Sequence, residues 1–172
     1  MRILGIDPGL AAAGWGLIVY PEGGPRDVVW GQIKTSSDAA MSQRLQKIFH
    51  SLQDLVRDLR PEAVVIEELF FASNVKTAIV VAQARGVAIL ATAESGVPVF
   101  EYTPLQIKKA VSGNGRASKE QVQKMVATLL GLREIPRPDH AADALAAALC
   151  HAHTLKTERL FGRMKDESGR MK

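Results

Sequence analysis

The spacing of apolar residues along the chain predicts five strands and five helices. Three short apolar segments joined by turns come first, which is typical of an antiparallel meander. Further on, apolar residues recur every three or four positions in some segments and continuously in others, which predicts alternating helices and buried strands. The predicted strands are residues 2–7, 14–20, 28–35, 63–66 and 97–101, and the predicted helices are 38–60, 74–94, 103–112, 118–130 and 139–153.

The order of these elements, β-β-β-α-β-α-β-α-α-α, predicts an α/β fold. A five-stranded mixed sheet would be flanked by helices on both faces. The first and fourth strands would lie side by side in the middle of the sheet. If they are parallel, Asp7 and Glu67, which end them, emerge at the same carboxyl edge, where α/β sheets place their sites.

Length and composition are those of a single globular domain, since 47% of the 172 residues are hydrophobic. We predict one domain over residues 1–155 and a basic, disordered tail over residues 156–172. No segment resembles a signal peptide or a membrane span, so we expect a cytoplasmic protein without a membrane partner. The single cysteine, Cys150, excludes an internal disulfide, and the net charge of +4 is compatible with a nucleic-acid partner.

The first and fourth predicted strands, which would lie side by side, both lead into an acid. Asp7 closes the first strand, and Pro8-Gly9 turns the chain directly after it. Glu67 closes the fourth strand. An ionised carboxylate beside an apolar strand is costly unless a cation compensates it. The structural alternative for Asp7 is a turn aspartate that caps its own backbone.

The last predicted helix adds a third group of polar residues. Asp143 lies one turn from both Asp139 and His140, so either can share its face. The rest of the helix is mostly Ala and Leu and is predicted to be buried, so Asp143 needs a partner. Structurally, Asp139 could be the N-cap and Asp143 a hydrogen-bonded core acid. His151 and His153, in the last predicted turn, are expected to interact with the helix C-terminus.

Acids and a histidine at the ends of apolar elements predict a site for divalent metal. Carboxylate oxygens suit Mg²⁺, and an imidazole makes Mn²⁺ possible as well. Two such ions about 4 Å apart can activate water and stabilise the leaving oxygen of a phosphodiester. The residues therefore favour the chemistry of a nuclease.

Four motifs resemble those of the RuvC family of Holliday junction resolvases: GIDPG at 5–9, IEELFF at 66–71, AQARG at 82–86 and PDHAADALA at 138–146. The resemblance implies a ribonuclease H-like fold, a homodimer, and Mg²⁺-dependent cutting of four-way DNA junctions by paired symmetric nicks. Two ions per site would leave 5′-phosphate and 3′-hydroxyl ends. Recombination and repair are the implied processes, with branch-migration proteins of the RuvA and RuvB type as partners.

The resemblance also implies the site residues. The catalytic and metal-binding positions of the family correspond to Asp7, Glu67, His140 and Asp143. The third position is often an aspartate in relatives and can be a histidine. Asp139, one residue before His140, is the reserve candidate for that position, and its other predicted role is the helix N-cap.

Basic and aromatic residues near the predicted edge are candidate DNA contacts. Each cation alone could equally be a solvated surface residue, but together they could neutralise phosphates on two arms of a junction. Phe70, three positions after Glu67, is either a core residue or, as the resemblance implies, a platform for unpaired bases, where stacking contributes ~1–3 kcal/mol per base. Ser118 is also predicted to form a capping box. The candidates are Phe70, Lys76, Lys108, Arg116 and Lys119.

Two other functions are compatible with parts of the pattern. Actin-like and sugar-kinase-like ATP-binding proteins also begin with a strand, an early aspartate and a glycine, but they need two lobes around the nucleotide. A structural protein could bind junctions without cutting them. Clustered carboxylates argue against that alternative, because they repel DNA and hinder a protein that only binds it.

Overall fold

The computed structural model describes residues 1–21, 24–69 and 75–169, with side chains for 1–21, 24–69 and 77–159. Its described part contains a single five-stranded sheet with helices on both faces, as predicted. The strands are β1 (Arg2–Asp7), β2 (Ala12–Val19), β3 (Val28–Lys34), β4 (Ala63–Glu67) and β5 (Val99–Tyr102). The helices are α1 (Met41–Leu59), α2 (Val75–Ala93), α3 (Pro104–Ser112), α4 (Lys119–Leu129) and α5 (Asp139–Gly169).

The strand order across the sheet is β3-β2-β1-β4-β5. Strands β1, β2 and β3 form the antiparallel meander, and β1 pairs in parallel with β4, which pairs in parallel with β5. Ile6 is opposite Ile66 in the central parallel pair. Asp7 and Glu67 therefore leave the sheet side by side at its carboxyl edge, which confirms the predicted arrangement.

Each face of the sheet has its own apolar core. Because side chains alternate along a strand, Leu4 and Ile6 of β1 pack on one face and Ile3 packs on the other. The first face is covered by α1 and α2, whose buried residues include Ile48, Leu52, Ala84 and Ala88. The second face is covered by α3, α4 and α5, with Ile107, Val126, Leu145 and Leu149 among its buried residues.

Three glycines allow α5 to lie directly on the backbone of β1 and β2. A Cβ atom at Gly5 would overlap the carbonyl oxygen of Ala144, and one at Gly14 would overlap the carbonyl oxygen of His140. A branched or even a small side chain here would push the helix away from the sheet. We call Gly5, Gly14 and Gly16 the glycine stripe.

Helix α5 is longer than predicted. It continues past His153 to Gly169, so the segment predicted to be a disordered tail is helical up to that residue. Residues 154–161 contain neither Gly nor Pro, and the Thr157 hydroxyl donates to the His153 carbonyl oxygen at 2.9 Å. The division between a domain at 1–155 and a tail stays a prediction. Among the described helices, none combines the length and apolar character required of a transmembrane span.

Candidate active site

The two acids that end β1 and β4 lie on the face covered by α5. Ile3 and Val65 belong to the core beneath α5. Strand alternation places Asp7 and Glu67 on that same face. Asp7 also lies opposite Gly14 in the β1–β2 ladder, so no side chain separates its carboxylate from the first turn of α5. The edge of the sheet and the start of the helix thus form one site.

His140 contacts Asp7 from the first turn of α5. Its Nδ1 lies 2.7 Å from Asp7 Oδ2. This hydrogen bond raises the pKa of the His140 imidazole, against the opposing effect of burial. The contact joins residues that are 133 positions apart in the chain. It depends on Gly14, because a side chain there would overlap the His140 backbone.

Asp143, one turn further along α5, is paired with Lys119. The Lys119 Nζ lies 2.9 Å from Asp143 Oδ2 and 3.8 Å from Asp139 Oδ2. Ser118 fixes the start of α4, because its hydroxyl accepts the Gln121 N–H and its own N–H donates to Gln121 Oε1. The predicted capping box is therefore confirmed, and Lys119, the first residue of α4, faces the two acids of α5.

The electrostatics of the site favour a bound cation. Burial is the main cause that raises the pKa of Glu67 to about 7, and repulsion from Asp7 and Asp143 adds to it. Lys108 and Lys119 lower the Glu67 pKa without cancelling that increase. Burial likewise raises the pKa of Asp143, although its bond to Lys119 opposes the change. Several carboxylates are thus held together at a cost in free energy.

Asp7, His140 and Asp143 could hold a metal ion. Each offers one ligand atom, and these atoms all lie within 4.8 Å of one another. Two carboxylate oxygens and an imidazole nitrogen suit Mn²⁺ and, with the carboxylates dominant, Mg²⁺. Glu67 is not in this group, but the two acids of the group act on its pKa. The donor set therefore fits a divalent cation.

Similar proteins identify the family. Residues 3–151 match the sequence profile of the family described as "Crossover junction endodeoxyribonuclease RuvC". The chain is 57% identical over 160 residues to a protein of that name from Rubrobacter xylanophilus, covering 93% of this chain and 89% of the relative. The chain belongs to the RuvC family. The resemblance noted in the sequence is thus confirmed.

Solved structures of RuvC agree with this assignment. The Thermus thermophilus RuvC structure is 39% identical with a TM-score of 0.85, covering 92% of this chain and 97% of that chain. A second structure, T. thermophilus RuvC in complex with Holliday junction substrate, is 37% identical with a TM-score of 0.83, covering 91% and 96% of the two chains. The expected ribonuclease H-like fold is confirmed by these RuvC structures.

Asp139, the reserve candidate, lies beside the group of possible metal ligands rather than in it. The ligand group found among the described residues does not include it. Its carboxylate instead accepts Arg137 Nη1 and faces Lys119. Asp139 is the first residue of α5, where a carboxylate interacts favourably with the helix dipole. It therefore does not precede the helix, as an N-cap would.

The predicted DNA contacts fall into three groups. Lys108 and Lys119 lie close enough to the acids to act on the Glu67 pKa. Arg116 is exposed in the loop before α4, where its backbone N–H donates to Asn114 Oδ1 at 2.9 Å. Phe70 and the side chain of Lys76 lie outside the described residues. Their roles remain predictions.

Sequence reasoning missed how the RuvC site is assembled. It predicted Lys119 to be a DNA contact or a solvated surface residue, whereas the structure bonds it to Asp143. It also missed the glycine stripe, although a glycine at alternate positions of a predicted strand was a signal that something approaches its backbone. Arg85 donates from Nε to the Glu67 carbonyl oxygen at 3.1 Å and pairs with Glu101, so it has a structural role beside the site.

Proposed function

We propose that this protein is a structure-selective endonuclease that resolves four-way DNA junctions by paired nicks, in recombination and repair. The observation that carries the proposal is the meeting of Asp7, His140 and Asp143, from opposite ends of a RuvC-family chain, in one group of possible metal ligands. The junction complex of T. thermophilus RuvC supports four-way DNA as the substrate class.

We assign the catalytic and metal-binding roles to Asp7, Glu67, His140 and Asp143. Two Mg²⁺ ions are the proposed cofactors, with Mn²⁺ as a possible substitute, and Asp7 would serve both of them. When bound, such ions lower the pKa of water and offset the charge of the cleaved phosphate. The raised pKa of Glu67 supports this assignment, because nearby positive charge would return that carboxyl to its ionised form.

The side chains of the chain itself would orient the reaction. With Nδ1 bonded to Asp7, His140 would use Nε2 to bind an ion or to hold the attacking water. Water attacks phosphorus in line, the bond to the 3′ oxygen breaks, and the products are 5′-phosphate and 3′-hydroxyl ends. The Asp7 carboxylate fixes the imidazole orientation, so losing Asp7 removes two functions at once.

We also assign phosphate contacts to Lys108, Arg116 and Lys119. The sequence adds Lys76 as a further phosphate contact and Phe70 as a stacking contact to bases. Lys108 on α3 and Lys119 on α4 lie close enough to the acids to act on the Glu67 pKa, and Arg116 lies in the loop between the two helices. Neutralising several phosphates makes junction affinity fall steeply with salt. The alternative of an ATP-binding protein is disfavoured, because residues 3–151 match the RuvC family.

We propose that the protein acts as a homodimer, since two symmetric nicks need two sites. Helix α2 presents an exposed stripe on which Ile79 is 55% and Leu90 53% exposed. The two residues are eleven positions apart, about three turns, so they share one face. Gln83 and Gly86 between them are exposed too. A second copy of this chain would bury the stripe. As further partners we propose branch-migration proteins of the RuvA and RuvB type.

The dimer proposal is tested by a charge in the stripe. Leu90→Asp should halve the solution mass measured by light scattering after gel filtration, because the carboxylate cannot be buried between two helices. Leu105→Asp is the matched control, since Leu105 is 62% exposed on α3, on the other face of the sheet. It should leave the mass unchanged. A monomeric wild type would contradict the dimer. A dimeric Leu90→Asp variant would exclude α2 as the contact between the two copies.

Cleavage is tested on a synthetic four-way junction with labelled strands. In Mg²⁺ or Mn²⁺ the protein should nick two opposite strands at symmetric positions and leave a linear duplex of the same sequence intact. Chelation with EDTA should abolish cutting and preserve binding in a gel-shift assay. Binding without cutting in either metal would favour the non-catalytic junction-binding protein.

A further inference from the structure

Lys119 lies between two carboxylates that differ in their relation to the metal group. Its Nζ is 2.9 Å from Oδ2 of Asp143, one of the possible ligands. The same Nζ is 3.8 Å from Oδ2 of Asp139, which is not in that group. The ammonium therefore neutralises a ligand carboxylate, and a second carboxylate lies within about one ångström of hydrogen-bond distance.

A divalent cation bound to Asp143 would have to compete with this ammonium. Like charges repel strongly at such short separations, more so where water is partly excluded. The α4 backbone is held in place by Val122 and Val126, which are buried in the core beneath α5. The four-carbon stem of Lys119 is flexible, however, and its side chain is 51% exposed. The side chain alone can therefore move.

Asp139 is held where it could pair with the Lys119 ammonium, once a divalent cation has displaced that ammonium from Asp143. The Arg137 guanidinium pairs with Asp139 Oδ1, which leaves Oδ2 facing Lys119. The backbone of Arg137 is itself tied to strand β3, because Trp30 Nε1 donates to its carbonyl oxygen at 3.1 Å. These contacts keep the Asp139 carboxylate beside Lys119.

We propose that Lys119 competes with divalent metal for Asp143, and that Asp139 is a positioning residue that receives the Lys119 ammonium when metal binds. This inference rests on the proposed metal site. It gives Asp139 a function other than that of a metal ligand. It also links metal binding to the position of a lysine that we place among the DNA contacts, so the ammonium changes its partner as the site is loaded.

The test is a Mn²⁺ titration of the DNA-free protein, by calorimetry and by the electron paramagnetic resonance signal of free Mn²⁺. Lys119→Gln should bind Mn²⁺ about tenfold more tightly, because the competitor is gone. Asp139→Asn should bind it about threefold more weakly, because the ammonium then has no second partner. Lys124→Gln, which removes a cation from the exposed side of the same helix, should match wild type.

The double variant separates the two possible roles of Asp139. In the Lys119→Gln background, Asp139→Asn should have no further effect, since no ammonium needs a partner. Equal weakening in both backgrounds would mean that Asp139 acts on the metal directly, and would overturn the proposal. Lys119→Arg keeps the cation and should restore affinity towards that of wild type. Thermal unfolding of each variant would show that it is folded.

The remaining outcomes are also decisive. Wild-type protein that binds no Mn²⁺ would contradict the metal site, and with it the proposed function and this inference together. Wild-type protein that binds Mn²⁺ with an affinity unchanged by Lys119→Gln would contradict the competition alone and leave the proposed function standing.

Discussion

The two histidines on helix α5 have opposite environments. His140, in the first turn, is exposed and bonded to the Asp7 carboxylate, and that bond raises its pKa. His151, further along, is fully buried under Phe100 and Tyr102 of β5. Its Nδ1 lies 2.8 Å from the Tyr102 hydroxyl, and burial lowers its pKa. The first histidine is kept chargeable and the second is kept neutral.

This difference divides α5 into a site half and a core half. In the site half, acids and a histidine face the carboxyl edge of the sheet. In the core half, the residues from 144 to 152 are buried and mostly Ala and Leu. The prediction that His151 and His153 interact with a helix C-terminus is wrong, because α5 continues to Gly169. His153 instead has its Nδ1 3.0 Å from the Ala110 carbonyl oxygen.

The largest change in stability is expected at Gly5 of β1, which lies beneath the point where the two halves of α5 join. Gly5→Ala should lower the free energy of unfolding by about 3 kcal/mol, because the added Cβ overlaps backbone atoms of Ala144 and approaches Ala148. Gly16→Ala is the graded control. Its Cβ meets side-chain atoms of the buried Leu145 rather than a carbonyl group, and a side chain shifts at a lower cost than a helix backbone, so the loss should be smaller, about 1–2 kcal/mol. Urea unfolding measures both, and equal costs would mean that α5 does not lie directly on the β1 backbone.

A smaller change in the free energy of unfolding, in this case an increase, is expected in the site half. The folded-state pKa of Glu67 is raised from 4.5 to about 7. The folded protein therefore holds that proton more tightly than the unfolded chain, and metal-free wild type loses stability as pH rises from about 4.5 to about 7. Glu67→Gln has no such loss. With EDTA present, the variant should be about 1 kcal/mol more stable than wild type at pH 8, after allowance for solvent screening. At pH 4.5 the two proteins should have the same stability.

The neighbouring acid provides the control for that measurement. Glu68 is exposed, so Glu68→Gln should leave the unfolding free energy unchanged at both pH values. Glu67→Gln should also abolish cleavage. A variant that is destabilised at pH 8 would show that Glu67 is stabilised by its neighbours rather than strained by them.

The smallest effect on cleavage is expected in the core half. Tyr102→Phe removes the hydroxyl that faces His151 and should cost about 1 kcal/mol of stability. The rate of junction cleavage should stay at the wild-type value at temperatures where the variant is folded. Tyr20→Phe, on the ring that packs edge-on against His153, controls for the loss of a tyrosine hydroxyl elsewhere. Slower cleavage by folded Tyr102→Phe would mean that the core half contributes to catalysis.

Much of the fold could be predicted from the sequence. Apolar periodicity and the order of elements place β1 beside β4, and this pairing brings Asp7 and Glu67 to one edge. The motif around Asp143 shows that the start of α5 joins them. These predictions succeed because burial patterns and connection rules act along the chain.

The rest depends on contacts between distant elements. The pairing of Lys119 with Asp143 requires knowing how α4 crosses α5, which no local pattern specifies. The role of the glycine stripe requires knowing which strands lie beneath α5. The length of α5 was missed because a mixed-charge segment suits a solvated helix as well as a tail. The identity of the third metal ligand also stays a prediction, because Asp139 and His140 are adjacent in the sequence.

The most direct test compares wild type with Asp7→Asn on one labelled four-way junction. The substitution keeps the size of the side chain and removes the charge that ties β1 to His140. We expect junction affinity within about threefold of wild type, and a cleavage rate in Mg²⁺ lower by a factor on the order of 10³ or more. Cleavage at a near-wild-type rate by the folded variant would contradict the claim that acids from β1, β4 and α5 form a single catalytic site.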